Sequence, residues 1–425
     1  METETVRGGS VVSRAEAAPF NEKALLYILA TVQFTLIVDF LIIMPLGPQY
    51  MRVFSITPGQ FGLIVSSYAI SAGIAGLAAG LFLDRFDRKQ AMLVLYLGFA
   101  VGTFLCAVAP TYVTLVAARA VAGAFGGVTG ALILAVVGDV VPEFRRGAAM
   151  GLVMSSFSIA SIFGVPLGLV LANNFSWHFP FLVLAGLSLL ILVPILKIMP
   201  PLHEHLHHAR DQHPVRRMLE IMMHKEHQLA FLFMAGLTIT GFMFFPYLSN
   251  YLVANAGVKE SQLSFVYLSG GICTLFSMNW IGRWADRAGK PKVFRLMSLL
   301  AIVPILAFTN LPKVHVVLAI ATSTTLMICM SGRMVPAMAM MTASIEGRYR
   351  GGFMSINSAV QQFSAGLAAV LSGQIMGVSR TGQITHFNVI GWLSVVFALT
   401  CIYLARFLKP VKEPGPPEAM LPVEG

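Results

Sequence analysis

Three charged side chains sit where charge is hardest to keep. Asp39, Arg119 and Arg333 each fall inside a long apolar stretch, and Asp39 is the one acidic residue deep in such a stretch. A carboxylate in hydrocarbon is costly and is by default a functional feature. Burial penalises its charged form while a nearby cation favours it. Asp39 is therefore placed to load and release a proton, and Arg119 to adjust how tightly that proton is held; which effect wins is open. The structural alternative makes Asp39 a partner for a buried arginine or for a hydroxyl such as Thr35, one helical turn away. Arg333 suits an anionic or hydroxylated ligand, and equally a backbone carbonyl or the inner end of a helix bundle. Asn357, Gln361 and Gln362 bring uncharged hydrogen-bonding groups into another apolar stretch. Asn357 and Gln361 share a helix face and either line a cavity or bond between helices. Phe245 and Tyr247, in Phe242-Met-Phe-Phe-Pro246-Tyr247, and the methionines Met327, Met330, Met334, Met338 and Met341 read either as an adaptable apolar wall around varied ligands or as lipid-facing packing.

These side chains need a membrane scaffold. The 425 residues are 56% hydrophobic and only 11% charged, with a mean hydropathy of +0.77, whereas a soluble domain is about 25% charged. Apolar runs of about 20 residues, the length that crosses ~30 Å of hydrocarbon, occur twelve times. The first six are Leu25–Leu46, Phe61–Phe82, Met92–Ala109, Val113–Val137, Ala148–Ala172 and Phe179–Ile198. The second six are Leu229–Val253, Leu263–Ile281, Val293–Phe308, Val314–Met341, Gly352–Met376 and Val389–Phe407. The expected organisation is a cytoplasmic tail (1–22), a six-helix bundle (23–199), a cytoplasmic His-rich linker (200–228), a second six-helix bundle (229–408) and a cytoplasmic tail (409–425).

Of the 29 Lys and Arg, only Arg52, Lys259, Lys313 and Arg380 fall in the odd-numbered connections, and Arg119 and Arg333 fall inside spans. Cytoplasmic loops retain positive charge, so both termini are expected in the cytoplasm. The net charge of +10 is then a topology signal, aided by anionic headgroups; no basic patch interleaved with stacking aromatics points to nucleic acid. Residues 1–22 are polar and lack an apolar core with a cleavage site, so the first span is expected to act as its own insertion signal. Cys106, Cys273, Cys329 and Cys401 lie within spans without metal-ligand spacing, and free thiols packed as small apolar groups are expected. The linker histidines His203, His205, His207, His208, His213, His224 and His227 read either as a cytosolic metal sensor or, with their irregular spacing, as a solvated connector. Met218–Met223 is expected as a short amphipathic helix on the bilayer surface. No nucleophile–base pair, metal cluster or phosphate-cradling loop emerges, so neither an enzyme nor a cofactor is expected.

The two sets of six spans repeat a charged hairpin. Gly80-Leu-Phe-Leu-Asp84-Arg85-Phe-Asp87-Arg88-Lys89 follows the second span, and Gly282-Arg-Trp-Ala-Asp286-Arg287-Ala-Gly289-Lys290 follows the eighth. A looser pair, Pro142–Gly151 and Glu346–Met354, joins spans four and five, and ten and eleven. Halves repeated in one orientation are related by an axis along the membrane normal, with a substrate site between them. Gly80 lets the end of span two approach a neighbour, Asp84 can accept hydrogen bonds from a helix N-terminus, and Arg88 can reach Asp139 at the end of span four. Such a cluster either latches the halves in one conformation or merely pins topology.

With its arginine early in span four, this hairpin pair resembles the major facilitator superfamily over nearly the whole chain. The resemblance implies an all-α membrane protein of twelve helices in two pseudo-symmetric six-helix bundles, and it favours the latch reading for Gly80, Asp84, Arg85, Arg88, Lys89, Asp139, Gly282, Asp286 and Arg287. Asp39-Phe-Leu-Ile-Ile-Met-Pro45-Leu-Gly-Pro48 and Gly164-Val-Pro166-Leu-Gly168 are further similar to the twelve-span proton-coupled exporters of drugs and sugars, the arabinose-efflux-like carriers. That implies a secondary active transporter of a small organic molecule working by alternating access, with protons and membrane lipids as its other partners. It also implies a monomer in a bacterial inner membrane, Asp39 and Arg119 as proton-coupling residues, and Gly164, Pro166 and Gly168 as a helix bend linked to export. The sequence departs from the pattern at Asp87, where glycine is common and a left-handed turn is expected, at Val165 between glycine and proline, and at Leu169 in place of a second glycine. Proton-coupled uptake and lipid or lysolipid flipping are the alternatives.

Overall fold

The computed structural model describes residues 21–202 and 214–411. The chain runs through α1 (Glu22–Ile42), α2 (Gly47–Val53), α3 (Pro58–Phe82), α4 (Arg88–Ala107), α5 (Tyr112–Val140), α6 (Glu143–Ile159), α7 (Val165–Asn174) and α8 (His178–Ile198). After the linker come α9 (Pro214–Met223), α10 (Lys225–Phe242), α11 (Leu248–Ala254), α12 (Leu263–Ala288), α13 (Lys290–Thr309), α14 (Val316–Ala343), α15 (Arg350–Ile375) and α16 (Phe387–Leu404). A two-stranded antiparallel ribbon, β1 (Gly377–Val378) with β2 (Ile384–Thr385), precedes α16.

Among the described residues, eleven helical segments are long and apolar enough to cross a bilayer. The expected span over Gly352–Met376 is outside that set. Its helix α15 has 26 residues, ample length, but Asn357, Gln361 and Gln362 lower its hydropathy. Spans one and seven also differ from the continuous stretches expected. Each is a long helix that breaks and resumes as a seven-residue helix, α1–α2 and α10–α11. Pro45 and Pro246 lie in the breaks, where a missing N–H cannot continue the ladder.

Boundaries follow local chemistry. Asn21 caps α1, and Thr57 with Gln60, and Thr111 with Thr114, reciprocally cap α3 and α5. Asp87 caps α4 by accepting from the Gln90 N–H at 2.9 Å, and its other oxygen accepts from the Leu202 N–H at 2.8 Å. Its φ of −57° corrects the expected left-handed turn: the aspartate is there as a cap. In the second hairpin Gly289 does adopt φ +94°, which favours glycine. Between α6 and α7 the chain makes one π-helical turn, Ala160–Gly164, closed by a Val165 N–H to Ala160 carbonyl bond. Pro166 offers no N–H to keep the α-helical ladder, and Gly164 and Gly168 let α1 approach through Val38 and Ile42.

The apolar core is partitioned. At the end carrying residues 21 and 411, one buried cluster is built from α1, α3–α6 and α8, including Leu29, Tyr96, Leu132 and Ile195. A separate one is built from the segments after the linker, including Phe233, Phe294, Met341 and Phe353. At the far end a single cluster joins both sets, combining Ile43, Phe61 and Phe181 with Tyr247, Leu263 and Ala369. The two sets of helices therefore share one large buried cluster at the far end, while at the near end they meet along α3 and α15, where Leu77 of α3 leans on the second set's cluster.

Glycine sets the α3–α5 spacing. A Cβ on Gly127 would lie 2.7 Å from the Ala72 Cα, whereas Gly130, on the same helix, has nothing within 4 Å. Gly127→Val is expected to cost about 1–3 kcal/mol by overpacking, read as a lower unfolding temperature in detergent, while Gly130→Val leaves that temperature within a degree or two.

Candidate functional site

The structure brings Asp39 and Arg119 together. Both are fully buried, and the Arg119 Nη1 donates to Asp39 Oδ2 at 2.7 Å and to the Asp39 backbone carbonyl at 3.2 Å. Thr103 Oγ1 donates to Asp39 Oδ1 at 3.2 Å. The guanidinium carbon lies 4.3 Å from the centre of the Tyr68 ring, a cation–π contact that supports a buried cation. Arg119 Nε and Nη2 have no hydrogen-bond partner. The pair is thus held by charge, one carbonyl, one hydroxyl and one ring face, and its compensation is incomplete. The hydroxyl expected beside Asp39 is a different one: Thr35 bonds the Tyr96 hydroxyl at 2.9 Å and the Val32 carbonyl. Thr103 sits in α4, and an isolated threonine in an apolar stretch carries no sequence signal for that task.

This site adjoins the contact between the two sets of helices. Phe40, next to Asp39, lies 5.4 Å from Tyr68 and 5.9 Å from Phe242 of α10 between ring centres. The ion pair is thus connected to the opposing set through two aromatic contacts.

Beyond it, the far end is closed by polar stitches that sequence reasoning missed. Arg52 and Glu260 form a bidentate ion pair, with Nη2 to Oε2 at 3.1 Å. Asn173 accepts from Gln49 at 2.8 Å and donates to the Glu260 carbonyl at 3.3 Å. Tyr247 is fully buried and donates to the carbonyls of Ala369 at 2.5 Å and Pro58 at 3.3 Å. In this conformation Tyr247, expected to touch substrate, bridges the two sets of helices at the far end. Phe245 packs, half-buried, on the same shared core.

Arg333 is buried in α14, and no carboxylate among the described residues pairs with it. Its Nη2 donates to the Leu237 carbonyl at 3.3 Å, and its Nε and Nη1 have no hydrogen-bond partner. Asn357 is buried with Oδ1 unpartnered, while Gln361 and Gln362 are half-buried. At the other end, Arg88 Nε donates to Asp139 Oδ2 at 2.9 Å, joining α4 to α5 within one set of helices. Arg85, Asp286 and Arg287 are exposed, Lys89 and Gly282 half-buried, and the Asp84 side chain lies outside the described residues. Gly80 does face the opposing set, with Ser355 Oγ 3.9 Å from the position of a Cβ.

The four cysteines are free thiols, and no group of metal-ligating side chains occurs among the described residues. His203, His205, His207, His208 and His213 lie outside the described residues. His227 is no solvated connector residue: it is buried, shares a hydrogen bond with the Ile221 carbonyl at 2.9 Å and packs on Tyr349 and Phe353.

The sequence profile of the Major Facilitator Superfamily matches residues 29–245 and again 229–420. The chain belongs to the major facilitator superfamily. It is 26% identical over 404 residues to the MFS-type transporter YceJ of Bacillus subtilis, covering 93% of this chain and 99% of that one. A shorter match, 34% over 124 residues, is to the vacuolar membrane amino acid uptake transporter fnx2 of Schizosaccharomyces pombe, covering 29% of this chain and 22% of that one. The fold superposes on the nucleoside transporter NupG with a TM-score of 0.73 at 14% identity, covering 91% of this chain and all of that one. It also superposes on a bacterial homologue of the human lysosomal transporter Spinster in an inward-facing, occupied conformation, with a TM-score of 0.70 at 14% identity and 92% and 97% coverage. The chain is a multi-pass membrane transporter and not an enzyme.

Removing one partner of the buried pair leaves the other charge uncompensated. Arg119→Gln is expected to cost about 3–5 kcal/mol of stability, and adding Asp39→Asn should recover at least half of that loss. A double-mutant cycle on thermal unfolding measures it; strictly additive losses would show that the two side chains do not interact.

Proposed function

We propose that this transporter is a proton-coupled antiporter that exports a small organic molecule from a bacterial cytoplasm by alternating access. The observation that carries the reading is the fully buried Asp39–Arg119 pair lying next to the Phe40–Phe242 contact between the two sets of helices. In this reading α15 is the twelfth span, residues 23–199 and 229–408 are the two rocking bundles, and both termini are cytoplasmic. The protein acts as a monomer in the inner membrane. The far end is then periplasmic, and the structure is the inward-facing state.

In this state Arg119 compensates the Asp39 carboxylate, so the charged form is the matched one and the proton has left toward the cytoplasm. Opening the far end separates Phe40 from Phe242 and disturbs the Tyr68–Arg119 contact. A carboxylate that loses its cation in a dry site takes up a proton from the side now open, and closing returns it to Arg119. The proton thus binds and leaves on opposite sides, as coupling requires. Substrate binds in the cavity between the bundles, touching Arg333, Asn357, Gln361 and Gln362, with Phe245 and Tyr247 reached as the far end opens. Arg88 with Asp139, and the hairpin residues Gly80, Asp84, Arg85, Lys89, Gly282, Asp286 and Arg287, latch the cytoplasmic end in the outward-facing state. The bend at Gly164, Pro166 and Gly168 lets α7 stay packed on α1 while α6 swings.

The test uses everted vesicles from cells expressing the chain, with an acidic lumen and a panel of ethidium, labelled arabinose and labelled amino acids. At least one probe should accumulate in the lumen and be released when nigericin with potassium collapses the gradient. Asp39→Asn should lose gradient-driven accumulation at least tenfold yet keep probe exchange without a gradient. Accumulation only in right-side-out vesicles with an acidic exterior would instead establish uptake by symport.

A further inference from the structure

The two seams between the sets of helices are unequal. The α3–α15 seam is in contact along its length: Gly59 faces the Gly373 carbonyl at 3.3 Å, Gly73 faces Phe363 at 3.3 Å, and Gly80 faces Ser355 at 3.9 Å, each from the position of a Cβ. The linker helix α9 buttresses this side. Ile221 packs beneath Gly352 of α15 and belongs to the same apolar cluster that Leu77 of α3 leans on.

The other seam, between α6–α7 and α12, closes only toward the far end. Gly271 of α12 faces the Ser161 carbonyl and Ile162, both 3.1 Å from a Cβ position, and above them Asn173 bonds the Glu260 carbonyl. Below Ile162 the same face of α6 carries Ser158, Ser155, Gly151 and Gly147, at helical spacing. Gly147 and Gly151 have nothing within 4 Å of a Cβ position, and both are exposed, as is Ser155. Opposite, α12 is the least covered of the eleven membrane-length segments among the described residues: 22% of its apolar stretch is buried, against 39–56% for the other ten. Its flank nearest the gap carries Leu275, Met278 and the exposed Asn279, and its outer face carries Phe276 and Trp280, 70% and 66% exposed.

We infer that the gap between α6 and α12 is a one-sided lateral portal through which an amphiphile dissolved in the cytoplasmic leaflet enters the central cavity. The gap lies along the apolar stretch of α12, beside the exposed Phe276 and Trp280. One wall offers small and hydroxylated residues to a polar head, and the other offers Leu275 and Met278 to a hydrocarbon chain. The sealed α3–α15 side leaves a single route. This deepens the export reading by naming a lipid-borne amphiphile as its substrate class.

The test uses the full chain, with Cys273→Ser to remove the one incompletely buried thiol, carrying a bimane-labelled cysteine at Ser155, Ser355 or Leu190. Each is reconstituted in phosphatidylcholine with chain-brominated phosphatidylcholine at increasing fractions. Leu190, 69% exposed on α8, reports direct lipid contact, and Ser355 reports the closed seam. Bimane at Ser155 is expected to be quenched at least twofold more than at Ser355, approaching Leu190, and Gly151→Phe should at least halve that quenching. Equal quenching at Ser155 and Ser355 would overturn the portal. Quenching needs no transport, so strong quenching at Ser155 together with an Asp39→Asn variant that still exports against a gradient would keep the portal and refute the coupling.

Discussion

A carboxylate and a guanidinium buried side by side in a membrane bundle are the constraint around which this protein is built. Either charge left without the other at full burial is costly, since breaking a buried pair leaves an uncompensated charge worth about 3–5 kcal/mol. The chain answers with a short list of contacts: the Asp39–Arg119 pair at 2.7 Å, the Thr103 hydroxyl and the Tyr68 ring. Two guanidinium nitrogens stay without a partner, so the arrangement is adequate in this conformation and sensitive to any change in it. That sensitivity makes the pair suited to respond to a proton. A fully satisfied network would only rigidify the core.

In the proposed mechanism the rest of the architecture turns a local charge change into a choice between conformations. Phe40 ties the acid's helix to Phe242 across the bundle interface, and the far end is held by Tyr247 on two backbone carbonyls and by Arg52 on Glu260. The polar stitches can be exchanged for water, whereas opening that end also parts the apolar cluster that the two sets share there. At the other end each set of helices keeps its own apolar core. Each can therefore move as a packed body, and the glycines of α3, α5 and α15 let backbones approach closely without bulky side chains that would catch during rocking.

Much of this was legible in the sequence, and the gaps have physical reasons. Twelve apolar stretches, the repeated hairpin and the lone acid gave the helical membrane fold and the ion pair, because hydrocarbon forbids unexplained charge. What stayed hidden depends on distances between segments far apart in the chain. Thr103 and Tyr68 look like ordinary span residues until α3, α4 and α5 are packed against α1. The Arg52–Glu260 pair joins two loop-end residues, of which Arg52 read only as a topology marker and Glu260 carried no signal. The hydrogen bonds of Tyr247 to Pro58 and Ala369 were hidden because its place in Phe245-Pro246-Tyr247 fixes its type and not its partners. Asp87 was read against a glycine pattern, although an aspartate three residues before Gln90 is also a helix-cap signal. His227 belonged to a histidine-rich run, and only the packing of α10 against α15 and the end of α9 shows that it is a core residue.

The most direct measurement of the central claim is the distance between spin labels at Val53 and Lys313, on opposite sets of helices at the far end, in a background with Cys273→Ser. Pulsed electron–electron resonance should give a compact distribution for the native pair at alkaline pH and a second, longer population on acidification. Asp39→Asn should show the longer population at both pH values, with the shift at least tenfold in relative population. If the native chain and Asp39→Asn give the same distribution at every pH, protonation of the buried acid does not govern which end is open, and the account is wrong.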